Sequence, residues 1–205
     1  MKFVVGVIGT QNTGKSTFIG DIMDKFRGSL NEFHTVGCDY REKIRKAGLQ
    51  INRNGNLEAQ KIILDTLVEQ LDIIQKMPDG NYITDRSPID AYVYTTYLFR
   101  HNPELGITQT DLDEMFSKVK ESIEGYDRII YIDLDKCENV EVVDDTFRDT
   151  NLEYRAEIDQ LFKETFNLLG KDVMENRLVS EIMGSREERV NMFVKLFERR
   201  MVSKN

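Results

Sequence analysis

Residues Gly9-Thr10-Gln11-Asn12-Thr13-Gly14-Lys15-Ser16 follow the apolar run Phe3-Val4-Val5-Gly6-Val7-Ile8 and fit the phosphate-binding pattern G-x-x-x-x-G-K-[ST]. Each element has a chemical reason. The glycines let the backbone curl so that successive N–H groups converge on an anion, and a helix starting near Lys15 points its positive end at the same place. Lys15 reaches the β- and γ-phosphates of a nucleoside triphosphate, and Ser16 offers a hydroxyl to Mg²⁺. Gly9, Gln11, Asn12, Thr13, Gly14 and Thr17 complete the expected donor-binding set. The competing reading is a glycine-rich surface turn. Such a pattern arises by chance in roughly one chain in a hundred of this length, and far more rarely between a buried-type strand and an amphipathic helix bearing Phe18, Ile19, Ile22 and Met23.

Three further clusters could act on phosphates. Asp85-Arg86-Ser87 closes an apolar stretch, the place where parallel sheets bind ligands. There Asp85 can hold Mg²⁺ and Arg86 can neutralise a phosphoryl group in transfer; the alternative is a helix cap beside a surface ion pair. The second cluster runs from Asp144-Asp145-Thr146-Phe147-Arg148 to Tyr154-Arg155. It suits an arginine-bearing lid that excludes water, with Arg148 and Arg155 catalytic in the closed state; the alternative is a solvated helix start whose acids favour the dipole. In the third, Cys38-Asp39-Tyr40-Arg41, Arg41 could grip a substrate phosphate and Asp39 could accept a proton or bind a sugar hydroxyl. A solvated helix start weighs evenly against it. His34 and His101 read as structural.

Short apolar strands alternating with amphipathic helices must position these groups, which predicts a parallel sheet covered on both faces. The expected order is a strand over Phe3–Ile8, a helix Lys15–Phe26, a strand Phe33–Val36, a helix Cys38–Ala47, and a break from Gly48 to Gly55. Asn56 caps a long helix whose Leu57, Leu64, Leu67, Val68, Leu71 and Ile74 share one face. Pro78-Asp79-Gly80 ends it before a strand Tyr82–Asp85, then helices Tyr92–Phe99 and Thr110–Ile123, and a strand Arg128–Asp133. The acidic stretch 135–155 is the expected lid region, its polar part running to Thr150. A helix Leu152–Leu169, a strand Leu178–Met183 and a helix opened by a Ser185/Glu188 capping box finish the chain.

With 205 residues, 40% hydrophobic and 31% charged, the chain can bury one sizeable core, and residues 1–205 read as one domain. No apolar run approaches the ~20 residues that cross a membrane, and nothing resembles a signal segment, so a cytoplasmic location is expected. Cys38 and Cys137 stand far apart without metal-spaced companions and read as reduced thiols. A net charge of −8 argues against a chain that coats nucleic acid.

Taken together, Gly9–Ser16, Arg41, the Gly48 and Gln60 region, Asp85-Arg86-Ser87 with Asp90 and Tyr94, and Asp145–Arg155 resemble the P-loop nucleoside and nucleotide kinases. Within them they resemble the small AAA-type ATP-binding group that includes ribosylnicotinamide kinase domains and phage-type deoxynucleoside monophosphate kinases. The resemblance implies a three-layer α/β P-loop NTPase fold with a five-stranded parallel sheet in the order 2-3-1-4-5. It implies ATP and Mg²⁺ as cofactors, Gly184 and Ser185 near the adenine, and an acceptor site holding Asp39, Arg41, Gln60, Arg86, Asp90 and Tyr94.

At one place the sequence departs from the pattern. Members that phosphorylate a neutral hydroxyl often carry a glutamate shortly before the arginine matched by Arg41, and here Cys38 stands three positions before it. A monophosphate acceptor is already anionic and needs positioning more than deprotonation. The expected reaction is therefore ATP-dependent phosphorylation of a (deoxy)nucleoside monophosphate to the diphosphate. The alternatives are a nucleoside kinase, in which Asp39 or Glu32 replaces the carboxylate, and an ATP-binding regulatory module. A GTPase switch is disfavoured because neither N-K-x-D nor D-x-x-G occurs. A kinase acting on DNA would need a basic groove that the acidic balance does not advertise. The oligomeric state is left open, a homodimer included.

Overall fold

The computed structural model describes residues 1–137, 151–170 and 178–203. Arg148, Asp144 and most of the expected lid lie outside the described residues. Five strands form one parallel sheet: β1 (Phe3–Ile8), β2 (Phe33–His34), β3 (Asn81–Asp85), β4 (Arg128–Cys137) and β5 (Val179–Gly184), in the spatial order β2-β3-β1-β4-β5. The first strand pairs with β3 from Phe3↔Asn81 to Val7↔Asp85 and with β4 from Val5↔Arg128 to Ile8↔Tyr131. This is the P-loop NTPase arrangement expected from the sequence.

Alternation along the strands divides the core. Phe3, Val5 and Val7 of β1 meet Phe18, Ile19 and Ile22 of α1 (Lys15–Phe26) and Phe193 and Phe197 of α7 (Arg186–Ser203). Val4 and Ile8 face the other layer, built from α2 (Tyr40–Lys46), α3 (Leu57–Lys76), α4 (Pro88–His101), α5 (Gln109–Ile123) and α6 (Leu152–Leu169). The two-residue strand β2 survives at the sheet edge because Phe33 is buried among Phe26, Phe193 and Phe197, with ring centroids at 5.3, 5.6 and 5.3 Å.

Four of the boundaries that differ from the sequence expectation have a clear physical reason or consequence. β2 stops at His34 rather than Val36, and the Val36 carbonyl accepts instead from Gln70 Nε2 at 2.5 Å. The second helix starts at Tyr40, not Cys38, which leaves Asp39 as an exposed N-cap with no side-chain capping bond. α4 starts at Pro88, four residues before the expected Tyr92, because Ser87 and Asp90 form a reciprocal capping box with proline in the first turn. β4 runs on to Cys137 with a register shift between Ile132 and Cys137 against β5, so residues 135–137 of the expected lid belong to the sheet. No helix among the described residues is long and apolar enough to cross a membrane.

Candidate active site

The phosphate loop lies between β1 and α1, and its shape depends on backbone that most residues avoid. Gly9 has φ 141, and a Cβ there would come within 2.6 Å of the Ile132 carbonyl oxygen. Gly14, at the N-cap of α1, has φ 82, and Asn12 has φ 56. Lys15 is buried, its Nζ donating to the carbonyls of Gly9 at 2.8 Å and Thr10 at 2.6 Å. Tyr94 donates its hydroxyl to Gln11 Oε1 at 2.6 Å, tying the loop to α4. Among the described residues, the buried Thr10 Oγ1, Asn12 Nδ2 and Asn12 Oδ1 have no hydrogen-bond partner. A loop of left-handed turns at a helix N-terminus, with unspent polar atoms inside it, fits a polyphosphate.

Ser16 Oγ donates to Asp85 Oδ2 at 3.0 Å. A hydroxyl and a carboxylate side by side are hard oxygen donors suited to Mg²⁺, so the residues present fit that ion. Thr17 is exposed on the first turn of α1.

Arg86 occupies φ 84, a left-handed conformation costly for a side-chain-bearing residue. It is held there by its N–H donating to the Val7 carbonyl at 2.9 Å and by its own carbonyl accepting from Thr84 Oγ1 at 2.9 Å. Its guanidinium donates to Asp90 Oδ1 and to the Tyr40 hydroxyl, both at 3.0 Å, and lies over the Tyr94 ring at 5.6 Å. Burial opposes this charge, yet Tyr40, Tyr94, Asp90 and Asp85 around it hold its pKa well above the ordinary guanidinium range. Burial also pushes the Asp90 carboxyl up, while Arg86 and the Ser87 N–H pull it back. Asp90 thus serves both the α4 cap and Arg86.

Arg41, on exposed ground, donates Nε to the same Tyr40 hydroxyl at 3.2 Å. Tyr40 separates two hollows. One holds only about 20 Å³ of free space and is lined by Gln60, Asn52, Ile63, Arg86, Asp90 and Tyr94; the other, of about 290 Å³, is lined by Arg41, Cys38, Thr35, Gln70 and Asp85. Gln60 is 1% exposed and its Oε1 has no partner among the described residues. Burial pushes the Cys38 thiol up, so it is a neutral thiol and no base. The structure therefore brings Arg41, Gln60, Arg86, Asp90 and Tyr94 around two adjoining hollows and leaves Asp39 exposed at the helix start.

Arg155 is the clearest departure from expectation. It sits in the first turn of α6, 4% exposed, and donates Nε to the Gln11 carbonyl at 3.2 Å and Nη2 to the Asn12 carbonyl at 3.1 Å. It is part of the packed layer, not of a lid. Gly184 has φ 86, a conformation strained for residues with a side chain, and the neighbouring Glu188 Oε2 accepts from Ser185 N–H and Oγ at 2.8 Å each. Two contributors were missed. The Tyr40 phenol stands in the sequence between Asp39 and Arg41, whose charges mask it. Arg189, 5% exposed, donates Nη1 to the Thr13 carbonyl at 2.9 Å, and nothing in its charged helix start marks it off from Arg186.

A family model described as "AAA domain" matches residues 4–189. The chain belongs to that AAA domain family. No curated protein sequence matches it. Among solved structures it is similar to a NadR protein in complex with NAD and AMP-PNP, at TM-score 0.61 and 15% identity over 91% of this chain and 47% of that one. A NadR protein in complex with NR gives 0.60 and 17%, over 88% and 45%. The chain thus spans about half the length of these NadR proteins. Deoxyadenosine kinase from M. mycoides with bound dATP gives 0.58 and 15%, over 96% of this chain and 99% of that one. The AAA domain chain shares a P-loop kinase-like fold with all three.

Proposed function

We propose that this AAA domain protein transfers a phosphoryl group from ATP, with Mg²⁺, to the phosphate of a (deoxy)nucleoside monophosphate. The observation that carries the reading is the convergence of two guanidiniums, Arg41 and Arg86, on the Tyr40 hydroxyl, beside a neutral Cys38 thiol where a base would otherwise stand. Paired arginines suit an acceptor that brings its own negative charge.

In this reading Mg-ATP supplies the phosphoryl group and the metal's charge, and the residues of the chain position and neutralise. The loop orients the triphosphate through its backbone N–H groups, while Lys15 stabilises charge on the transferring group. Ser16 and Asp85 would hold the ion. Arg86 lines the inner hollow and bonds Tyr40, which borders both hollows, so it would meet the transferring group, with Arg41 on the acceptor's own phosphate. The outer hollow beside Arg41, of about 290 Å³, would receive the acceptor, and Gln60 and Tyr94 line the narrow inner hollow that adjoins it. Gly184 and Ser185 would lie near the donor base.

A second reading, a nucleoside kinase, is favoured by the names of the structural neighbours, a NadR protein with NR and a deoxyadenosine kinase. It asks Asp39 or Glu32 to act as base. A panel of nucleosides and (deoxy)nucleoside monophosphates with Mg-ATP, products read by mass, separates the two. Diphosphates are expected, and Arg41→Ala should raise the acceptor KM most, with kcat less affected. Monophosphate products from nucleosides would establish the second reading, and ADP formation independent of any acceptor would leave a regulatory ATP-binding module.

A further inference from the structure

Each carbonyl of the phosphate loop from Gly9 to Gly14 accepts a hydrogen bond, and the donors come from three helices. Lys15 takes those of Gly9 and Thr10, Arg155 those of Gln11 and Asn12, Arg189 that of Thr13, and the Phe18 N–H that of Gly14. The N–H and C=O of one planar peptide point in opposite directions. Holding the carbonyls of residues 11–13 toward Arg155 and Arg189 therefore aims the N–H groups of residues 12–14 the other way, into the loop, as an anion site requires.

Arg155 and Arg189 are 4% and 5% exposed. Among the described residues, Arg155 has no carboxylate at ion-pair distance. A buried guanidinium that meets only carbonyl dipoles is unfavourable by itself, and a bound polyanion offsets it. Arg189 does a second thing: its Nε also donates to the Ser185 carbonyl at 3.4 Å, so one planar group spans the phosphate loop and the turn between β5 and α7. That turn is itself rigid, through the positive φ of Gly184 and the Ser185/Glu188 bonds.

We propose that Arg189, with Arg155 opposite it, is a positioning residue for the donor triphosphate: it holds the loop's carbonyls outward and fixes the spacing between the loop and the β5–α7 turn. It acts through Thr13 rather than on phosphate directly. The proposal rests on the donor-site reading and extends it to residues outside the motif.

The test is equilibrium titration of the full chain with Mg-ATP, without acceptor, for wild type, Arg189→Ala and Arg189→Lys, alongside melting temperatures and steady-state kinetics. Loss of charged hydrogen bonds predicts that Arg189→Ala raises the Mg-ATP Kd about tenfold or more. kcat at saturating substrates should fall less than the Kd rises. Millimolar guanidinium should restore part of the lost affinity in Arg189→Ala and none in wild type, a response that a purely structural role does not give. A Kd within about twofold of wild type, or an affinity loss that guanidinium leaves untouched, overturns the proposal. If Arg189→Ala does not fold, Arg189→Lys decides: a Kd raised about threefold or more supports it, and an unchanged Kd overturns it. Absence of Mg-ATP binding by wild type overturns the donor-site reading and this proposal together, whereas wild-type binding with unaltered variants overturns this proposal alone.

Discussion

Lys15 ties its own loop together as well as facing the expected triphosphate, since its Nζ bonds two carbonyls of the turn that precedes it. Truncation removes a charge from the transfer step and frees two carbonyls, yet the loop keeps Arg155 and Arg189 on its other side. Lys15→Ala should therefore lower kcat by ~10²–10³, the usual cost of one preorganised electrostatic contact. The far-ultraviolet spectrum and melting temperature should stay near wild type. Activity within a few-fold of wild type would remove Lys15 from the mechanism. In the sequence, Lys15 and Ser16 are marked as candidates by the fixed spacing of the loop motif, and Asp85 by its place at the end of an apolar run. Tyr40 and Arg189 carry no such mark, because each acquires its role from a partner far along the chain, Arg86 and Thr13.

Among the elements, β2 shows how little backbone pairing an edge strand needs when one side chain is well seated. It contributes two residues to the sheet, and Phe33 inserts among four other phenylalanine rings. Phe33→Ala should cost about 3–5 kcal/mol, the range for large core truncations, measured by denaturant unfolding. A loss under about 1 kcal/mol would mean that the edge is held by something else. The α5 N-terminus makes a pH-dependent case. The Thr108 side chain, Lys61 and the Thr108 N–H all bond Asp111 and lower its pKa to about 2 from 3.8. A carboxyl with a depressed folded pKa contributes stability that is present above its unfolded pKa and is lost as pH falls through the folded one. The melting-temperature gap between wild type and Asp111→Asn should be full at about pH 6 and narrow below about pH 4; a gap that does not change with pH would assign the effect to shape alone.

Helix and strand existence was readable in the sequence because burial is periodic, and the order β2-β3-β1-β4-β5 followed from the resemblance. Boundaries failed where tertiary partners decide. Gln70 takes the Val36 carbonyl and ends β2 early, and pairing of Cys137 with Gly184 carries β4 past its apolar stretch. The start of α4 was missed for a different reason: the Ser87/Asp90 box was written in the sequence, but Asp90 was assigned to substrate alone.

Over the whole molecule, two kinds of support share α4 and otherwise draw on different helices. The phosphate loop is braced from α4, α6 and α7, through Tyr94, Arg155 and Arg189, whereas the hollows beyond Tyr40 draw on α2, α3 and α4. Their cations differ in how they meet solvent. Lys15, Arg155 and Arg189 are 7%, 4% and 5% exposed, while Arg41 stands on the surface. Dissolved ions screen exposed charges over a Debye length of about 8 Å at physiological strength and reach buried ones far less. Under the proposed reaction, the KM for a monophosphate acceptor should climb earlier and more steeply in a potassium chloride titration than that for Mg-ATP. Equal slopes would place the acceptor's phosphate on a buried cation instead of Arg41. Where the slopes differ as expected, the salt content of the surroundings tunes the occupancy of one substrate and leaves the other nearly constant.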